Sequence, residues 1–415
     1  MGAIIALFVL LIVSYVMRPD WTDIPAIRAV YNWGAAFRVL GTLAYMFYAF
    51  YITSGNVDAF VYDNWAQRFA EYFVRGDFSP FTDSSLYRGG QLFYTNFVAY
   101  PAAFFLIITG NSTFGIYLLF STVCFIGLVL MVKSFYLNFP GIDRYRVTLY
   151  VLLFPAVWFW TSTIGKDAFV FLGIGIICSG FRASSLNYVK FIIGIAIVYA
   201  FRPPVAYMLL LSMSALFIFN FKDPFLLKLL KIGLGVYLAV LLLDFISADW
   251  RIESFDVETI EGLQRSTLRN NDYGSGALEE KSGGLSSIPR GIVDVLARPF
   301  IWETKDITTL LASLEITFML SILFIKRYSL KRFVQSMLTN RLSTFVGAFT
   351  LIYIVSAGLF ENNIGLIARH RSIIFPFLFL AAYSFQFVKV PKRNLSPTNN
   401  YLPVETEKAA PYRKL

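Results

Sequence analysis

Four short strings of ionisable residues punctuate an otherwise apolar chain: Asn56-Val57-Asp58, Gly165-Lys166-Asp167, Arg202-Pro203-Pro204 and Ala368-Arg369-His370-Arg371. Each lies at the end of a long apolar run, where a charged side chain is costly and by default functional. Their residue types define the chemistry they would do together. Lys166, Arg202, Arg369 and Arg371 supply positive charge for an anion, and the guanidinium fork suits phosphate. Asp58 supplies a carboxylate at the edge of the apolar phase, placed to act as a general base. If all four strings open on one side of a membrane, they form a single cationic pocket containing a carboxylate.

Each string also has a plainer reading. Asp58 can be the N-cap of a following helix, and Asp63 a solvated face residue. Lys166 and Asp167 can neutralise each other. Arg202, Arg369 and Arg371 can be interfacial anchors that snorkel to water. Because residues two apart on a helix face different sides, Arg369 and Arg371 divide their roles: one holds phosphate while the other pairs with Glu361. His370 alone reads as a structural helix-end histidine.

The elements that must position these residues are long apolar segments. The chain has 415 residues, of which 57% are hydrophobic, 18% aromatic and only 15% charged; a soluble domain carries about 25% charged residues. Apolar runs fall near 2–17, 38–54, 93–110, 113–133, 147–163, 167–180, 187–201, 204–220, 227–246, 308–325, 342–360 and 372–388. Many have the roughly 20 residues needed to cross about 30 Å of hydrocarbon. The expected fold is an all-α polytopic transmembrane helical bundle with about 11–12 membrane segments. The run 93–110, which carries Tyr94, Asn96, Tyr100 and Pro101, is expected to cross only partway. The first run lacks a basic leader and a small-residue cleavage site, so it reads as a retained helix.

The net charge of +10 is explained by Lys and Arg in cytoplasmic loops rather than by a nucleic-acid partner, since no basic stripe with interleaved aromatics lies outside the apolar runs. Residues 1–388 read as one transmembrane domain and 389–415 as a disordered cytoplasmic tail. The loop 18–37 reads as cytoplasmic because of Arg18 and Arg28, with Arg38 at its end. Two loops are expected outside: 55–91, with an amphipathic interface helix from Asp58 to Phe73, and 247–307, a flexible lid with eleven acidic and seven basic residues. The arginines of 369–371 then sit outside, against the usual bias, which is the sharpest functional signal in the chain. Cys124 and Cys178 both lie inside apolar runs and support neither a disulfide nor a thiolate metal site; with His370 the only histidine, a multi-His metal site is ruled out. Trp65, Tyr87, Trp158 and Trp160 are candidates to stack against a sugar ring.

This arrangement resembles the GT-C type integral-membrane glycosyltransferases and the Wzy-like polysaccharide polymerases. Asn56-Val57-Asp58-Ala59 followed by Tyr62 is similar to the first-loop acidic position of the former. Tyr87 to Ser112, ending Thr109-Gly110-Asn111-Ser112, is similar to the segment after that loop, and Phe154-Pro155 through Trp160-Thr161-Ser162 to Lys166-Asp167-Ala168 to their second acidic site. Arg202-Pro203 and Asn363-Ile364-Gly365 with Ala368-Arg369-His370-Arg371 resemble the polymerases, which bind lipid pyrophosphate through external arginines. The resemblance implies a glycosyltransferase or polysaccharide polymerase of the plasma (inner) membrane, with its carboxy terminus cytoplasmic. Its donor would be a polyprenyl-phosphate-linked sugar used at the extracytoplasmic face, its acceptor a glycan or lipid, with membrane lipids around it. Asp58 would be catalytic; Lys166, Arg202, Arg369 and Arg371 would bind the phosphate; Tyr62, Asp167, Asn363 and His370 would support them. A cofactor, if any, would be a divalent cation, Mg or Mn; the paired acidic motif that would hold it is interrupted, because Lys166 precedes Asp167. The competing reading is a transporter, such as a lipid-linked oligosaccharide flippase. No internal repeat, dinucleotide fingerprint or P-loop is present.

Overall fold

The computed structural model describes residues 1–18, 24–53, 55, 57–83, 96–182, 185–218, 288–361 and 363–385. Among them the chain is helical throughout, with no strand and one isolated bridge between Phe181 and Leu186. In chain order the helices are α1 (Gly2–Val16), α2 (Pro25–Phe47, continuing through a π-helical turn at Tyr48–Ile52), α3 (Asp58–Val74), α4 (Ala99–Thr109) and α5 (Thr113–Asn138). Next come α6 (Arg144–Leu153), α7 (Pro155–Trp160), α8 (Lys166–Ser179), α9 (Tyr188–Phe201) and α10 (Pro203–Ile218). The last six are α11 (Ile288–Ala297), α12 (Ile307–Ile325), α13 (Arg327–Ser336), α14 (Arg341–Phe360), α15 (Ile364–Arg371) and α16 (Phe375–Tyr383). Four helices are long and apolar enough to cross a membrane: Pro25–Ile52, Thr113–Asn138, Ile307–Ile325 and Arg341–Phe360. The pair α15 and α16, bent by 53°, makes a fifth if taken as one span.

α5 is the central column. It carries 26 residues, most of them buried, and packs against α8, α1 and α2. Its contact with α8 is set by glycine: a Cβ on Gly175 would collide with the Gly127 carbonyl, so the two backbones touch directly. Gly291 and Gly358 give α11 the same close approach to α14.

Helix ends follow local chemistry. Ser112, Asp143, Asn187 and Asn340 each accept a backbone N–H at the start of α5, α6, α9 and α14. The string Thr109-Gly110-Asn111-Ser112 is a tight helix-to-helix turn, with Gly110 and Asn111 both at positive φ, rather than part of a site. α4 is only 11 residues long, about 16 Å, which is too short to cross a bilayer alone.

Several boundaries differ from the sequence reading. The second apolar run does not start at residue 38: Pro25 opens a helix of 28 residues in which Ile27, Val30, Tyr31 and Gly34 are buried. Arg38 is therefore a fully buried mid-helix residue and not the end of a loop. The run 147–163 breaks at Pro155, which cannot donate a backbone hydrogen bond and holds Phe154 extended. The Ala156 N–H exposed by that break donates to the carboxylate of Glu315 on α12. Residues 288–297 are not part of a flexible lid: α11 is fixed against α14, and Arg298 links Asp294 and Glu303 at 3.2 and 2.6 Å. Asp63 is buried rather than solvated, with Gln67 Nε2 donating to it at 3.2 Å, and burial pushes its carboxyl pKa up. The run 227–246, the lid residues 247–287 and the tail 389–415 lie outside the described residues.

Candidate functional site

Asp167 sits at the first turn of α8, 2% exposed, where its carboxylate would be intolerable without partners. Two arginines supply them. Arg202 Nη1 lies 2.9 Å from Oδ1, and Arg369 Nε donates to Oδ2 at 2.9 Å. Arg202 comes from the α9–α10 junction, where Pro203 and Pro204 open the next helix and leave the guanidinium at the break. Arg369 comes from the last turn of α15, whose start is capped by Asn363 accepting the N–H groups of Gly365 and Leu366 at 2.9 and 3.3 Å. One buried carboxylate thereby joins three separate elements.

The network extends both ways. Arg369 Nη1 also donates to Asp58 Oδ2 at 3.3 Å, at the first residue of α3. Arg202 Nη2 meets His370 Nε2 at 2.6 Å, and His370 Nδ1 meets Glu361. Guanidinium nitrogens only donate, so Nε2 is the acceptor in this contact and Nδ1 is the nitrogen directed at the Glu361 carboxylate. The result is an unbroken chain of carboxylates and cations: Asp58, Arg369, Asp167, Arg202, His370 and Glu361. Tyr353 on α14 fixes the α15 backbone by donating to His370 O at 2.9 Å.

This network forms one wall of a cavity of about 400 Å³. Lys166, Arg202 and Arg369 line it with Asp58, Glu361 and His370, and Asp167 lies immediately behind. The lining contributed by α10 and α14 is largely apolar, with Val205, Met208, Ala357 and Phe360 beside Tyr353 and Ser356. Three basic side chains and two carboxylates thus share a lining that is otherwise largely apolar. Such a cavity can take an amphipathic anion: phosphate oxygens on the cations, hydrocarbon on α10 and α14. An incoming anion competes with Asp58 for Arg369, so binding would free the Asp58 carboxylate. That carboxylate is 64% exposed and stands at the cavity mouth.

Of the residues singled out from sequence, Asp58, Tyr62, Lys166, Arg202, Arg369 and His370 line this one cavity. Asp167 organises it from behind, and Asn363 is the cap that starts α15. Arg371 is a correction. It points away, is 1% exposed, and donates through Nη1 to Val295 O at 3.1 Å and Arg298 O at 2.7 Å. α11 ends at Ala297 with unpaired carbonyls, and Arg371 satisfies two acceptors there; it binds backbone rather than ligand. Other expectations also change. Val57, not Asp58, is the N-cap of α3, and its side chain makes no capping bond. Lys166 and Asp167 are not simply each other's counter-charge, because Asp167 faces two arginines. Glu361 pairs with His370, the residue between the two arginines from which its partner was expected.

Trp158 and Trp160 are half-buried and pack against Phe37, Tyr45, Tyr48 and Phe159, and Trp65 packs beside Phe69; none lines the cavity. Tyr87 lies outside the described residues. The cavity's own aromatics are Tyr62, Tyr353 and Phe360, and the last two fall inside an unbroken apolar run with no sequence signal. Arg38 was also hidden: fully buried, it donates to Thr161 Oγ1 at 2.9 Å, while its Nε and Nη2 make no hydrogen bond.

Among the described residues, the carboxylates at the cavity do not fit a divalent cation. Asp58 and Asp167 both give an oxygen to Arg369, and the second Asp167 oxygen faces Arg202. Among the described residues, no group of three or more His, Cys, Asp or Glu is placed to hold a metal ion. No family model matches this chain, and it has no significant similarity to a curated protein or a solved structure. The functional reading therefore rests on the geometry of this cavity and on its chemistry.

Proposed function

We propose that this chain is an integral-membrane glycosyltransferase or polysaccharide polymerase that uses a polyprenyl-phosphate-linked sugar. The observation that carries the reading is the convergence of Lys166, Arg202 and Arg369 with Asp58 on one cavity whose remaining lining, from α10 and α14, is largely apolar. The donor's phosphate would lie on the three cations and its prenyl chain along α10 and α14. In the transfer step the bond from the anomeric carbon to the phosphate oxygen breaks, and the acceptor oxygen bonds to that carbon. Negative charge builds up on the departing lipid phosphate, where Lys166, Arg202 and Arg369 stabilise it. Asp58, released from Arg369 by the phosphate, takes the acceptor's hydroxyl proton. Asp167 and the Glu361–His370 pair hold the two arginines in place.

In this reading the chain is polytopic in the plasma (inner) membrane, with 11–12 segments once the shorter apolar helices are included. The cavity then opens to the extracytoplasmic side and the carboxy terminus is cytoplasmic. The positive cluster Lys326, Arg327, Lys331 and Arg332, at the other end of α12, supports this orientation.

The test is purified protein in nanodiscs with a radiolabelled polyprenyl-phosphate sugar. Release of free polyprenyl phosphate with transfer of label to a glycan or lipid acceptor, lost in Asp58→Asn, supports the reading. Movement of intact donor across the bilayer without bond cleavage would replace it with a flippase.

A further inference from the structure

The opposite end of the bundle holds a second site that the first does not explain. α14 separates them: Phe360 at its end lines the cavity above, whereas its start at Arg341 follows α13 after a short connection. Twenty residues of helix place these ends about 30 Å apart. At the far end lies a pocket of about 350 Å³ formed where α6 begins, where α12 ends and where α16 ends. Arg146, Lys326, Ser329 and Tyr383 line it, with Asp143 at its edge.

Its charge is positive. The Lys326 ammonium lies 5.4 Å and the Arg146 guanidinium 5.7 Å from the centre of the Tyr383 ring. Asp143 offsets Arg146 at 3.6 Å, but its other oxygen is used capping α6. Lys326 has no carboxylate partner among the described residues. Beside the pocket runs α13, with Arg327, Lys331 and Arg332 exposed together with the apolar Tyr328 and Val334. A basic helix with exposed apolar side chains belongs at a membrane surface.

A second, mostly apolar groove adjoins the pocket, because Tyr150 of the groove stacks on Tyr383 of the pocket. Farther along α6 and α12 is a groove of about 320 Å³, lined by Leu149, Leu153, Phe154 and Phe318 and by Glu315, whose carboxylate is held by the Ala156 N–H. Its floor is an aromatic stack: Tyr150 lies on Tyr383 at 5.5 Å and on Phe379 at 4.9 Å. Arg146 to Leu153 is seven residues and Lys326 to Phe318 eight, so the groove runs about 10–12 Å from the cations along both helices. The exposed face of α12 continues the same surface, with Leu311, Leu314 and Phe318 outward and Phe324 and Ile325 about 70% exposed beside Lys326. A phosphate group with a hydrocarbon chain beneath it matches both halves.

We propose that this groove binds an anionic phospholipid, with the headgroup phosphate on Lys326 and Arg146 and an acyl chain between α6 and α12. The proposal does not depend on the function assigned to the other cavity. It makes the lipid a structural ligand that joins the ends of α6, α12 and α16.

The test uses the full-length protein in detergent, titrated with phosphatidylglycerol, phosphatidylcholine, inorganic phosphate or glycerol 3-phosphate. Thermal unfolding and bound lipid by native mass spectrometry are the readouts. Phosphatidylglycerol should raise Tm and remain bound, while phosphatidylcholine and the two soluble phosphates should not. The double variant Lys326→Gln with Arg146→Gln should weaken phosphatidylglycerol binding by about thirtyfold, at ~1 kcal/mol per charge. Lys331→Gln on the outer face of α13 should leave binding unchanged. Leu149→Trp, which fills the groove and keeps both cations, should lower retention independently and serves if the double variant does not fold. Equal effects of phosphatidylcholine would overturn the proposal, as would equal effects of soluble phosphate or of Lys331→Gln, or full retention in Leu149→Trp.

Discussion

The carboxylate of Asp167 accepts the Nε–H of Arg369 at 2.9 Å across 202 residues of chain. The same carboxylate holds Arg202. Both guanidinium groups of the cavity wall are thus positioned by one buried side chain, and removing it takes the carboxylate from Arg202 and leaves Arg369 only the exposed Asp58.

Asp167→Asn should therefore destabilise the protein by about 3–5 kcal/mol, the cost of breaking a buried ion pair on one side. Thermal unfolding in nanodiscs reads this directly. Binding of a polyprenyl phosphate should weaken in the same variant, since the arginines lose their alignment. Unchanged stability would show that the network is not held by this residue.

Arg369 and Arg371 are two residues apart but should fail differently. Arg369→Ala should abolish lipid-phosphate binding. Arg371→Leu leaves the Val295 and Arg298 carbonyls without their donor and should cost about 1–3 kcal/mol of stability. Binding by the surviving folded Arg371→Leu protein should match wild type. Equilibrium binding and Tm on both variants separate the two roles, and loss of binding at both would contradict the division.

The Arg298–Glu303 pair fixes the link between α11 and α12 and has a pH signature. Hydrogen bonds from Arg298 hold the Glu303 carboxyl below its usual pKa. Its folded value is depressed, so its contribution is complete above the unfolded value of about 4.3 and is lost as pH falls through the folded value. Stability should drop in that acid window, and Glu303→Gln should be less stable at neutral pH with a shallower acid decline. Parallel curves for the two proteins would remove the pair from the account.

Gly175→Ala forces a methyl group into the Gly127 backbone where α5 and α8 touch. Overpacking of this kind costs typically 1–3 kcal/mol. A fall in Tm of the Ala variant, larger than for Gly55→Ala where a Cβ meets nothing within 4 Å, is the expected result. The positive φ of Gly55 adds backbone strain to that control, so a larger fall at Gly175 exceeds strain without a clash.

Composition and run length alone determined that this is an all-helical chain with apolar segments of membrane-spanning length, because hydrocarbon-grade sequence has few other ways to satisfy its backbone. The same reasoning located Asp58, Lys166, Arg202 and Arg369, since a charge at the end of an apolar run stands out against its neighbours. Only the tertiary structure decided which of those charges meet. Arg371 carries the same sequence signal as Arg369, yet the 100° step per residue of α15 turns it toward the end of α11, which no local pattern announces. Arg38 disappeared into a helix that started 13 residues earlier than the apolar run, and the apolar wall of Met208, Ala357 and Phe360 is indistinguishable in sequence from lipid-facing residues. One-dimensional hydropathy records that a residue avoids water; whether it does so against lipid, against protein or around a ligand depends on which helices become neighbours.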